Sequence, residues 1–203
     1  MTHLRIQTEA TPLVVDLSSL VPQSRLTREQ FYTFCRQNRD LRIERNANGE
    51  IMVMPPAFSD TGNRNFKVAL QLGRWAEQEG SGEGFDSSAG FTLPNGATRS
   101  PDAAWIRAER WHALTPEQQA SFAPICPDFV VELRSASDSL TGLKEKLQEY
   151  IDNGTQLGLL IDRQGRTVHV YRPGRSPEIL SDPERVSCEP ELPGFTLRMA
   201  QIW

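Results

Sequence analysis

Alternating and helically spaced apolar positions divide the chain into short elements. Phe31, Phe34 and Cys35 recur at helical spacing behind Thr27 and Gln30, whose types and separation suit a capping box, so a helix is predicted to about Asn38. Leu41 to Glu44 and Ile51 to Met54 alternate as strands do, and Asn46-Ala-Asn-Gly49 between them has hairpin-turn chemistry. Pro55-Pro56 closes the second strand. A helix is expected from about Thr61 to Glu79, with Phe66, Leu70 and Gly73 on one face and Gly80-Ser-Gly82 ending it. Phe85 to Leu93 and Thr98 to Ile106 flank Pro94-Asn95-Gly96 and predict a second hairpin. Thr115-Pro-Glu-Gln118 has the form of a helix start, with proline at the first helical position.

Asp128 to Leu133 is rich in β-branched residues and almost wholly apolar, the composition of a strand covered on both faces. Leu140, Leu143, Leu147, Tyr150 and Ile151 then mark one stripe of a helix that closes at Asn153-Gly154. Leu157 to Asp162 and Thr167 to Arg172 predict a third hairpin around Arg163-Gln-Gly165, and Leu192 to Leu197 a brief strand. Three hairpins, two or three helices and a strand-helix-strand unit near the C-terminus make an α/β fold with a mixed β-sheet. Without an internal repeat or a splitting linker, residues 1–203 are expected to form a single domain.

Hydrophobic residues make up 38% of the chain and charged residues 24%, which excludes a disordered polymer. The longest apolar runs fall far short of the roughly 20 residues of a membrane helix. The N-terminus lacks a basic region followed by an apolar stretch, so neither membrane insertion nor export is expected. Cys35, Cys126 and Cys188 are odd in number and scattered, which points to reduced thiols in a cytoplasmic protein. The net charge of -4 requires any nucleic-acid contact to find its cations locally. Six arginines against three acids between Arg25 and Arg45, and four arginines with His169 against one acid between Asp162 and Arg175, could supply them. A solvated charged face is the ordinary reading of both stretches.

Several chemistries lack their parts. There is no G-x-x-x-x-G-K-[ST] phosphate loop, no dinucleotide-binding glycine pattern and no G-x-S-x-G elbow. His3, His112 and His169 sit in no zinc-ligand spacing. What stands out is acids at the ends of apolar strands. Glu132 interrupts Phe129-Val-Val131 and Leu133, Asp102 opens Ala103-Ala-Trp-Ile106, and Glu44 ends Leu41-Arg-Ile. A buried unpaired carboxylate is costly, so each needs a partner, and Arg134 is the nearest structural one for Glu132. Two unit charges about 4 Å apart repel by roughly 4 kcal/mol at an effective dielectric near 20, so converging acids would hold a proton or a cation. Carboxylates without histidine or thiolate suit Mg²⁺ or Mn²⁺, which polarises a phosphodiester and acidifies water. A lysine would orient that water, deprotonate it or steady phosphate charge. Lys144 and Lys146 lie on the two flanks of the helix stripe, and helical angle does not choose between them.

These residues resemble a known family. Ser100-Pro101-Asp102, Pro127-Asp-Phe-Val-Val-Glu132-Leu-Arg-Ser-Ala-Ser-Asp138, Glu145-Lys146-Leu-Gln-Glu-Tyr150 and Leu159-Leu-Ile-Asp162 are similar to the Uma family of restriction-endonuclease-like proteins in the PD-(D/E)XK nuclease superfamily. The likeness extends from Asn38-Arg-Asp-Leu-Arg-Ile-Glu44 through Thr61-Gly-Asn-Arg-Asn65 to Leu192-Pro-Gly-Phe195 and Ile202-Trp203. It implies a mixed central sheet flanked by helices, with Asp102 and Glu132 as metal ligands for Mg²⁺ or Mn²⁺. The lysine two places after the second acid is replaced by Arg134, and Lys146, four residues before Tyr150, matches the family's migrated substitute. Glu44 matches an acidic position of the first hairpin that completes the site. Ala136 departs from the more usual proline.

Two functions of different class follow. One is a metal-dependent DNA endonuclease with Asp102, Glu132, Lys146 and Glu44 as its catalytic residues, and by analogy with enzymes that cut both strands it would pair as a homodimer. The alternative is a non-catalytic module of the same fold that binds DNA or a protein as an accessory to mobile elements, which the acidic net charge favours. Paired-carboxylate chemistry on a sugar would leave Lys146 idle. Trp75, Trp105, Trp111 and Trp203 read as core residues before a stacking platform, and His112 and His169 as surface or hairpin residues.

Overall fold

The computed structural model describes residues 13–15, 26–39 and 41–203. Arg25 and Asp40 of the first basic stretch, and His3, lie outside the described residues. The first half of the chain runs β1 (Leu13–Val15), α1 (Arg28–Gln37), β2 (Arg42–Arg45), β3 (Ile51–Met54), α2 (Ser59–Glu79), β4 (Gly82–Asp86), β5 (Phe91–Thr92), β6 (Thr98–Arg99) and β7 (Ala103–Arg107). It continues through α3 (Ala108–His112), α4 (Pro116–Gln119), β8 (Phe129–Leu133), α5 (Leu140–Asp152), β9 (Leu157–Asp162), β10 (Thr167–Tyr171), β11 (Glu178–Ser181), β12 (Arg185–Ser187) and β13 (Thr196–Arg198), ending in a 3₁₀ turn.

The larger sheet has the order β11-β10-β9-β8-β7-β4 and is mixed, because β8 and β9 pair in parallel while the other neighbours pair antiparallel. Parallel strands need a crossover, and α5 provides it. Ser139 Oγ accepts from Gly142 N–H at the helix start, and Gly154 takes φ 115° just past its end. Leu147 and Tyr150 are sealed from solvent beneath the helix, worth roughly 1.5–3 kcal/mol for each large apolar side chain. All five residues of β8 are buried, as a strand with two covered faces requires. Ala103, Trp105, Phe129 and Val131 pack on one face with Val68, Leu72 and Ala76 of α2 and the C-terminal segment. Ala104, Ile106, Val130 and Leu160 pack on the other with Leu147, Tyr150 and Ile151 of α5. The smaller sheet, β1-β3-β2-β6-β5, carries a core of Phe31, Ile43 and Ile51 against α1, whose capping box is formed by Thr27 and Gln30.

The structure corrects or refines three expectations. Helix α2 turns Thr61, Asn65, Val68, Leu72 and Ala76 inward, whereas Phe66 is 63% exposed and Leu70 37%. Two apolar stripes run along this helix at the same spacing, and tertiary contact selects the one containing polar Asn65. The arms of the second hairpin pair as expected, but in two different sheets: β5 with β6 in the smaller one and β4 with β7 in the larger. His169 lies on a hairpin strand, yet it is buried and its imidazole pKa falls through desolvation. The tryptophans are core residues: Trp105 is buried, and Trp75, Trp111 and Trp203 pack partly buried against the two clusters. All three cysteines are free thiols, and among the described residues no helix is long and apolar enough to cross a membrane.

Candidate active site

The antiparallel register of β7 with β8 pairs Ala103 with Val131 and Ala104 with Val130. Continued by one residue, it sets Asp102 opposite Glu132. Side chains alternate along a strand, so Asp102 shares the face of Ala104, and Glu132 that of Val130, which is the face covered by α5. The two acids therefore meet on one side of the sheet at the carboxyl end of β8. Asp102 Oδ2 accepts from Leu133 N–H at 2.8 Å and so closes the end of the strand ladder. Its other oxygen accepts from Asn65 Nδ2 at 2.8 Å, with Arg42 Nη2 3.7 Å away.

Lys146 extends from α5 into this corner. Its ammonium lies 2.8 Å from Glu132 Oε1 and 3.0 Å from Glu44 Oε1, so one cation serves two acids. Helical angle left Lys144 and Lys146 open, and it is Lys146 that joins the cluster. Glu132 Oε1 also accepts from Tyr150 Oη at 3.2 Å. Arg134, the sequence-level alternative partner, does not face Glu132 at all: its Nη1 lies 3.1 Å from Asp162 and its Nε donates to Asp138 O. Glu44, arriving on β2, has further donors in Arg99 Nη1 at 3.2 Å and Ser100 N–H at 3.1 Å. Arg99 in turn holds Glu149 at 2.6 Å. Glu44, Lys146 and Glu132 thus form one linked group, and Asp102, bonded to Asn65 and the Leu133 amide, lies near enough for its charge to raise the Glu132 carboxyl.

Their ionisation differs with their partners. Burial pushes the Glu132 carboxyl up to about 7, because the attraction of Lys146 is opposed by the charges of Asp102 and Glu44. Burial also raises Asp102, against the pull of Leu133 N–H, Arg42 and Lys146. Burial alone would raise Glu44 too, but Lys146, Arg99 and the Ser100 amide overcome it and hold the carboxyl below its ordinary value. Desolvation works to lower Lys146, and the charges of Glu132 and Glu44 more than offset it, so the ammonium is favoured.

The donor set suits a hard cation in a restricted way. Among the described residues there is no group of three or more His, Cys, Asp or Glu side chains placed to hold a metal. Glu44 is committed to three donors, which leaves Asp102 and Glu132 as the acids that could hold a cation. Mg²⁺ keeps several waters and takes one or two carboxylates, so a two-acid corner fits it where an all-protein cage would not. Asn65 Oδ1, on the amide that grips Asp102, is buried without a hydrogen-bond partner among the described residues. Asn65, Arg42, Arg99 and Tyr150 are members that sequence reasoning missed. The available signal for Asn65 was its helical register with Thr61, Val68, Leu72 and Ala76, a polar residue in a buried stripe.

A mixed central sheet with helices on both faces, a parallel β8-α5-β9 crossover and acids on neighbouring strands is the restriction-endonuclease-like fold. The chain belongs to the Uma2 family, described as "Putative restriction endonuclease", which residues 28–200 match. Among solved structures, it is similar to a crystal structure from Anabaena variabilis, titled as a putative nuclease belonging to DUF820, with a TM-score of 0.67 and 21% sequence identity. That similarity covers 79% of this chain and 88% of the other, and establishes the fold. A comparison with curated proteins finds no match.

Proposed function

We propose that the protein is a divalent-cation-dependent endonuclease that hydrolyses phosphodiester bonds in DNA. The observation that supports this most is the pairing of Asp102 and Glu132 on one sheet face with the Lys146 ammonium 2.8 Å from Glu132. Family membership supports the same reading. Asp102 and Glu132 would hold Mg²⁺ or Mn²⁺, which would supply Lewis-acid polarisation of the phosphodiester and a lowered pKa for water. Glu132 must shed its proton to serve as a ligand, and with its pKa near 7 it does so around neutrality. Lys146 stays protonated because two carboxylates favour its charged form. It therefore steadies negative charge developing on the phosphate and is a poor general base. Glu44 would keep hold of the ammonium if Glu132 served a cation, and Arg99 holds Glu44 in place.

The test is cleavage of supercoiled plasmid, linear duplex and single-stranded DNA in Mg²⁺ and in Mn²⁺. Cleavage by the wild-type protein that disappears in Asp102→Ala, Glu132→Ala and Lys146→Ala, each checked for folding by its thermal melt, is the expected result. No cleavage of any substrate with either ion, together with retained DNA binding, would replace this reading with the non-catalytic module.

A further inference from the structure

Asn65 sits in the second turn of α2, 8% exposed, in line with the buried stripe. A hydrophobic residue at that place would extend the packing of Val68 and Leu72 on the sheet. An asparagine there gives up apolar burial and must satisfy both ends of a primary amide. Only one end is satisfied: Nδ2 donates to Asp102 Oδ1 at 2.8 Å, while Oδ1 has no partner among the described residues. A buried acceptor left unpaired is costly, so a donor is expected to reach it in the working state. Arg42, the arginine beside Asp102, does not supply one: its Nη2 donates to Ser100 O at 2.9 Å, and its Nε is a buried donor that makes no hydrogen bond to Asn65.

We infer that Asn65 is a positioning residue for a hydrated divalent cation: its Nδ2 orients Asp102, and its Oδ1 accepts a hydrogen bond from a water of the cation's hydration shell. The inference rests on the metal-dependent reading above and assigns the residue that reading leaves out. Mg²⁺ and Mn²⁺ bound by few carboxylates retain waters whose hydrogens need acceptors. The Asn65 carbonyl is an uncharged oxygen on the same amide as the Asp102 contact, so it accepts from such a water without adding repulsion between anions. Groups that hold the ligands and waters of a metal site typically contribute a factor of about 10–100 to affinity or activity.

Mn²⁺ affinity measured by titration calorimetry on the full chain tests this, with Asn65→Ala, Asn65→Leu, Asn65→Asp and Asp102→Ala beside wild type. Thermal melts in EDTA confirm that each variant is folded, and Asn65→Leu keeps the buried volume where alanine does not. Asn65→Ala and Asn65→Leu are expected to bind Mn²⁺ about 10–100-fold more weakly than wild type. Asn65→Asp, which keeps acceptor oxygens but loses the donor to Asp102, is expected to bind Mn²⁺ more tightly than Asn65→Ala yet no better than wild type. Wild-type affinity in the alanine and leucine variants, or an aspartate variant as weak as alanine, overturns the role of the Asn65 oxygen. Mn²⁺ binding that survives Asp102→Ala, or is missing from wild type, instead overturns the metal reading itself, so the two failures are told apart.

Discussion

Replacing Lys146 by methionine keeps the length of the side chain and removes the charge shared by Glu44 and Glu132. Glu44 retains Arg99 and the Ser100 amide, so its carboxylate stays paired. Glu132 retains only Tyr150 among the hydrogen bonds described above. Its carboxyl, raised to about 7 in the wild type from an ordinary 4.5, is then driven higher still. A carboxyl with a folded pKa above its unfolded one binds more protons when folded. Its contribution is fully present below the ordinary value and is lost as pH rises through the folded pKa. In the wild type that loss stops near pH 7, whereas in Lys146→Met it continues upward at about 1.4 kcal/mol for each pH unit. Over the interval from about pH 7 to about pH 8.5 the variant therefore loses an additional ~2 kcal/mol relative to wild type. Urea denaturation followed by tryptophan fluorescence at about pH 5.5 and about pH 8.5 measures it. The variant's deficit should be larger at the higher pH by roughly this amount. A deficit equal at both values, or greater in acid, would show that Glu132 is not the group under strain and would refute the reasoning.

The same proton governs cation binding. Mn²⁺ affinity, measured by calorimetry across the range, should rise as Glu132 deprotonates, by up to tenfold per pH unit below about 7, and level off above it. Leu72→Ala, a deletion beneath α2 at a residue 1% exposed, should cost about 2–5 kcal/mol in urea denaturation. Phe66→Ala on the opposite face of the same helix should stay within about 1 kcal/mol, and the reverse ranking would mean that the helix face is wrongly assigned. Gly82→Ala should lower the thermal midpoint markedly, because its Cβ would fall 2.3 Å from the Ile106 carbonyl oxygen and 2.6 Å from the Trp105 ring, and a melt matching wild type would contradict that packing.

The parts of the fold legible in the sequence are those where one physical signal dominates. A β-branched, almost wholly apolar run gave away β8, a single clean stripe gave away α5, and Thr27 with Gln30 marked the start of α1. Elsewhere two signals competed. On α2 both stripes have helical spacing, and contacts with residues distant in sequence, Asn65 with Asp102 and Val68, Leu72 and Ala76 with the sheet, decide which turns inward. The segment between Phe85 and Ile106 divides between two sheets, a choice made by partners far along the chain. The strands β11 and β12 are largely exposed edges with little apolar content to announce them. Among the site residues, Asp102, Glu132 and Glu44 were visible as acids at the ends of apolar strands. Lys146 could be distinguished from Lys144 only by family likeness. Arg99 and Arg42 looked like ordinary surface charge, because the acids that bury them are contributed by other elements.

The ammonium that bridges Glu44 and Glu132 makes the charge at position 132 dependent on position 146. Losing the lysine leaves Glu44 held by Arg99 and the Ser100 amide but obliges Glu132 to take up a proton. Lineages that abandon the chemistry should therefore lose positions 132 and 146 together, leaving a correlated scar in which Glu44 and Arg99 persist.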